Sequence, residues 1–119
     1  MLKKRLSGNW ESPKGRKEKK ETERQAARRE VFEETKLKNI RFHTQFRATN
    51  QYHLYHKGNK IPKEDIFFLA ESKEGNVLLS TEHMEYEWLP FQEAIERVKF
   101  KNLKKILLLA AQKLDPELT

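Results

Sequence analysis

GRKEKKETERQAARREVFEETKL, residues 15–37, decides how the rest of the chain is read. Thr22 followed three residues later by Gln25 is a capping box, in which each side chain meets the other's otherwise unpaired backbone N–H. The pattern predicts a helix that begins near Glu23 and runs through the pair Glu33 and Glu34. On that helix Glu30 and Glu34 stand one turn apart and Glu33 is three residues from Glu30, so three carboxylates crowd one side. Like charges at this spacing repel and weaken a bare helix.

A cluster of hard oxygen donors that weakens its own helix makes sense where a divalent cation neutralises it. Mg²⁺ in particular binds through one or two carboxylates together with substrate phosphates. The ordinary alternative is a solvated acidic face.

The spacing along the stretch carries a further reading. From Gly15 there are five residues, then Glu21, seven more, then Arg29-Glu30-Val31, one residue, Glu33-Glu34, one residue, and Lys36-Leu37. This series resembles the Nudix box and departs from it at Lys36, where the box has Gly. Lys19 and Lys20 also stand where that family often has Pro or Gly. Two other segments, Trp10 with Pro13-Lys14-Gly15, and Glu82-His83 with Tyr86 and Trp88-Leu89, are similar to the diadenosine tetraphosphate hydrolase branch of the same family.

The resemblance runs from Trp10 to about Leu114, and it implies an α/β fold, a Nudix-type α/β/α sandwich with a mixed β-sheet. The sheet would be N-terminally shortened, because members of the branch usually have a strand and part of a second before the Trp, whereas residues 2–6 occupy that place here. It implies a Mg²⁺-dependent hydrolase, with Mn²⁺ as the substitute ion, that attacks a dinucleoside tetraphosphate with water and releases a nucleoside monophosphate and a triphosphate. Glu30, Glu34 and the Gly15 carbonyl would hold metal. Glu33 or Glu82 would take the proton, and Lys14 and Lys63 would neutralise phosphate charge. Phe67 would meet the base, and Tyr86 would be a substrate contact. Arg29, four residues before Glu33, would orient that carboxylate.

Other readings keep part of this. A triphosphorylated RNA 5′ end would also suit a basic surface. A Nudix-like module that binds nucleotide or RNA without turnover is a third, although a pure binder gains nothing from a repulsive acidic cluster. Phe67 reads equally well as packing.

Composition bounds the partners. The 119 residues suit one domain spanning residues 1–119, and a net charge of +7 with a pI of about 9.6 points to an anionic substrate or partner. With no cysteine there is neither a disulfide framework nor a thiolate metal site. No apolar run approaches the roughly 20 residues of a membrane span. The basic N-terminus lacks the apolar core of a signal peptide, so a soluble cytoplasmic protein is expected.

Elsewhere, Ser7-Gly8-Asn9 reads as a turn and residues 40–55 as a half-buried strand. Residues 57–60 make a hairpin turn, and residues 66–70 return as a strand apolar enough to be central in its sheet. Glu74-Gly75-Asn76 reads as another turn. Pro90 fits the first turn of a helix over residues 91–98 that buries Ala94, Ile95 and Val98. A last helix starts near Lys101 and repeats Leu103, Ile106, Leu107, Ala110 and Leu114 at helical spacing; Lys101, Lys104 and Lys105 read as its solvated face, and Asp115-Pro116 ends it. His83 reads as a hydrogen-bonded loop histidine, while His43, His53 and His56 receive no role.

Overall fold

The capping box at Thr22 forms. Its hydroxyl accepts from Gln25 N at 3.1 Å, and the Gln25 amide oxygen accepts from Thr22 N at 2.8 Å. From this cap α1 runs Glu23–Thr35, within a computed structural model that describes residues 1–15 and 17–115. Lys36 ends the helix in the left-handed region at φ 64°, and its N–H returns to Phe32 O at 2.8 Å. The family's Gly adopts that conformation without strain, whereas a lysine must bear a Cβ clash. Lys19 and Lys20 escape it, since among the described residues only Lys36 and Lys57 pair a side chain with positive φ.

Two antiparallel sheets accompany α1. In the first, β1 (Leu2–Lys4) lies between β2 (Trp10–Glu11) and β5 (His83–Tyr86). The short leading segment therefore has a neighbour on both sides, with Leu2 opposite Glu11 on one and Tyr86 on the other. The turn expected at Ser7-Gly8-Asn9 closes β1 onto β2, with Gly8 at φ 73°. In the second sheet β3 (Ile40–His56) pairs with β4 (Asn59–Ser72) across Lys57 and Gly58, both at positive φ. Two central residues with positive φ are what a tight hairpin requires, and a two-residue link forces the strands antiparallel. Every pairing among the described residues is antiparallel, so the α/β class holds with two antiparallel sheets in place of one mixed sheet.

Two expectations for the hairpin change. The return strand starts at Asn59 rather than Ile66, and it neighbours β3 alone among the described residues, so it is not central. Pro62 fits this arrangement, because a proline cannot donate to a ladder on the side where it sits. Along β3 the register shifts: Phe42 faces Ala70 and Arg47 faces Phe68, so an advance of five residues meets an advance of two. The bulge turns Phe46 inward, 8% exposed, and its Thr44 carbonyl accepts from Arg24 Nη2 at 3.1 Å. Arg24 also lies over the rings of Phe42 and Phe68, at 5.7 and 5.3 Å, which seats α1 on the ribbon.

The C-terminal helices are α2 (Phe91–Arg97) and α3 (Lys101–Leu114), and α3 packs on α2 and β3. Ala94 and Val98 are buried as expected and Ile95 is half-buried. Of the periodic residues on α3 only Ile106 is fully buried, and Leu114 is 61% exposed. Lys104 leaves the solvated face to which the charge pattern assigned it, donating to Ile95 O at 2.7 Å. Asp115 N bonds Ala111 O at the helix end, while Pro116 lies outside the described residues. The turn expected at residues 74–76 is an irregular link whose Gly75 carbonyl accepts from Trp88 Nε1 at 2.8 Å. No helix among the described residues is long and apolar enough to cross a membrane.

Candidate functional site

The site is built where the last turn of α1 meets the loop after β2. Glu34 is 3% exposed, and its Oε2 accepts from the Lys14 backbone N–H at 2.8 Å. Burial pushes its carboxyl up to about 8; the Lys14 N–H works against this, and the negative charges of Glu30, Glu11 and Glu82 add to it. Glu30 lies against Gly15 so closely that a Cβ there would overlap Cδ and both carboxylate oxygens. A glycine is needed at this position for the space it leaves, since no positive φ is involved.

Arg29 holds the outer carboxylates. It donates to Glu21 through Nε at 2.7 Å and Nη2 at 3.0 Å, to Glu30 through Nη1 at 2.7 Å, and to both oxygens of Glu33 at 3.2 Å. The expected Arg29–Glu33 contact is therefore present, within a wider clamp. The paired Glu21 hydrogen bonds keep Arg29 well above its ordinary pKa range, and the same bonds lower Glu21. The three box carboxylates differ in access: side-chain exposure is 4% for Glu34, 16% for Glu30 and 53% for Glu33. Two are set into the protein and one faces solvent.

A second group completes the floor. His83, 1% exposed, sits at the start of β5, where β1 advances one residue from Lys3 to Lys4 while β5 advances two from Glu85 to His83. Its Nε2 lies 3.0 Å from Glu11 Oε1 on β2, and its Nδ1 lies 3.9 Å from Glu34 Oε1. Glu11, Glu34 and His83 can each bring one donor atom within 4.8 Å of the others, a grouping that could hold a metal ion. His83 is hydrogen-bonded, as the sequence suggests, although in a strand. Lys14 Nζ turns toward Glu11 Oε2 at 3.6 Å and its side chain stays 57% exposed.

The structure thus brings together Lys14, Gly15, Arg29, Glu30, Glu33 and Glu34, with the Glu82 charge felt at Glu34. It does not draw in every candidate. Lys63 and Phe67 stand on β4 opposite Tyr52 and Ala48, and Tyr86 on β5 is 37% exposed. Among the described residues none of these three joins the hydrogen bonds around Glu34 and Arg29. Sequence reasoning gave Glu11 and Glu21 no role. Glu21 carried a signal, eight residues before an arginine on the same motif; Glu11 meets His83 only through a contact 72 residues apart.

Comparison with known proteins gives the same placement. The family model described as NUDIX domain matches residues 2–110. The asymmetrical bis(5′-nucleosyl)-tetraphosphatases of Sus scrofa and Mus musculus are each 36% identical over 103 residues, covering 83% of this chain and 67% of theirs. A crystal structure of a C. elegans Ap4A hydrolase binary complex superposes with a TM-score of 0.84 at 28% identity, over 97% of this chain and 84% of that one. The match to the family model over residues 2–110, with the box carboxylates gathered on α1, shows that the chain belongs to the Nudix family.

Proposed function

We propose that this protein hydrolyses a dinucleoside polyphosphate with a divalent cation, diadenosine tetraphosphate to ATP and AMP being the reaction most in keeping with its relatives. The observation that carries the reading is the placement of Glu34: a carboxylate in the protein floor beside Glu30, its pKa pushed up by burial and by the neighbouring negative charges. Such a group is stabilised when a cation replaces its proton.

The donor set fits a hard cation, for Glu30 and Glu34 bring carboxylate oxygens to where the loop meets the helix, and the Gly15 carbonyl would be the third oxygen. Mg²⁺, or Mn²⁺ in its place, would neutralise phosphoryl charge and make the attacking water more acidic. The chain's own residues do the rest. Arg29 holds Glu33 outward, which suits that carboxylate to accept a proton at the solvent side, with Glu82 as the other acceptor. Exposed Lys14 is free at its Nζ to exchange Glu11 for a phosphate, and Lys63 from β4 supplies the second positive charge. Phe67 and Tyr86 are the aromatic faces assigned to the bases, where stacking accepts any of them.

The test offers purified protein and Mg²⁺ diadenosine tetraphosphate and triphosphorylated RNA in parallel, with products resolved by charge. Equal amounts of AMP and ATP, with the RNA untouched, is the expected result. Cleavage of the RNA alone would replace the substrate, and no cleavage of either would remove the hydrolase reading.

A further inference from the structure

His83 raises a question that the box does not answer. In the neutral ring the 3.0 Å contact with the Glu11 carboxylate, which accepts, places the single N–H on Nε2 and leaves the Nδ1 lone pair bare. That Nδ1 is buried and has no hydrogen-bond partner, a state that buried polar atoms rarely keep. What faces it is Glu34 Oε1 at 3.9 Å, a second electron-pair donor. The separation is too long for a proton shared in a hydrogen bond. It is shorter than two metal–ligand bonds of about 2.0–2.2 Å laid end to end, so one cation reaches both atoms.

Glu11 behind the ring completes a recurrent arrangement, in which a carboxylate takes the remote N–H of an imidazole and aims the other nitrogen at a metal. Here the sheet holds it rigidly, with Glu11 on β2 and His83 on β5 either side of β1.

We propose that His83 Nδ1 is a nitrogen ligand of the cation bound by Glu34, and that Glu11 orients it. The inference rests on the preceding section only in taking Glu34 as a ligand. Its consequence is selectivity. An imidazole adds little affinity for Mg²⁺, which prefers oxygen, and much for Zn²⁺, with Mn²⁺ between the two. The centre works with Mg²⁺ through its oxygens but holds the transition ion more tightly.

The experiment loads the full chain with Mn²⁺ and records its electron spin-echo envelope modulation, which detects directly bound ¹⁴N. The expected wild-type spectrum carries imidazole nitrogen modulation, and His83→Gln abolishes it. The same substitution weakens Mn²⁺ binding by about tenfold or more, in the range known for perturbing such centres, and Mg²⁺ binding by less than about threefold. Glu11→Gln keeps the nitrogen signal with weaker binding. The wild-type spectrum decides the matter even where His83→Gln fails to fold. Mn²⁺ that binds through Glu34 and supports hydrolysis without ¹⁴N modulation overturns the His83 ligand and leaves the hydrolase reading intact. Failure of Mn²⁺ to bind overturns both.

Discussion

Gly15 and Glu30 share one small space: a Cβ on Gly15 would overlap the Glu30 carboxyl group. What the new atom would meet is the end of a flexible side chain rather than backbone, so the carboxylate moves and the fold gives little else. Gly15→Ala is expected to lower turnover by about tenfold or more, a barrier rise of about 1.4 kcal/mol. Its melting temperature should stay within about 4 °C of wild type, the shift expected of about 1 kcal/mol in a domain this size. Thermal unfolding and initial rates on one preparation check this; wild-type turnover, or a melting temperature lower by much more than about 4 °C, goes against it.

Glu34 links stability to pH in the metal-free protein. Its folded pKa of about 8 lies above the ordinary 4.5, so the folded state holds a proton that the unfolded state has lost. The associated stability is fully present below about pH 4.5 and is lost as pH rises through about 8. In chelator, the melting temperature should carry a component that falls across this window and flattens above it. Glu34→Gln should remove that component. Denaturation curves of both proteins from about pH 4 to about pH 9, flanking the window, measure it.

Arg29 binds three carboxylates at once, with two bonds to Glu21 alone. Lysine keeps the charge but cannot reproduce the planar fork. Arg29→Lys is expected to lower kcat by about tenfold or more while the apparent affinity for diadenosine tetraphosphate changes little, because the residue orients Glu33 and Glu30. A large rise in KM with kcat unchanged would instead put Arg29 on the substrate.

The legible features of this chain are those with local causes. Thr22 and Gln25 announce α1 because a capping box closes within four residues, and the box carboxylates lie on that same helix. The start of β4 was hidden because residues 59–65 are polar and contain Pro62; in a two-stranded ribbon with exposed faces, pairing needs no apolar pattern. Leu114 keeps helical period with Ile106 yet stays exposed, since periodicity marks a face without saying how far the neighbouring elements extend. Glu11 carries no signal in the sequence because its partner His83 arrives from another strand, and no spacing rule spans 72 residues.

Metal removal is the coarser test of the site. Excess EDTA should abolish hydrolysis, Mg²⁺ should restore it, and activity should rise toward alkaline pH as Glu34 releases its proton to solvent and takes the cation in its place. Full turnover in excess EDTA with no residual metal detected would contradict a metal-dependent reaction.

The most direct measurement compares Glu34→Gln with wild type for Mg²⁺-dependent cleavage of diadenosine tetraphosphate, alongside the metal-free melting temperature. Glutamine keeps an oxygen for the Lys14 N–H and matches the uncharged, protonated Glu34 of the metal-free protein, while removing the carboxylate that the cation needs. The account predicts turnover lower by about a hundredfold or more, a barrier rise of at least about 2.7 kcal/mol, with the melting temperature held or raised. Near-normal hydrolysis by Glu34→Gln would take Glu34 out of the site and contradict the account at its centre.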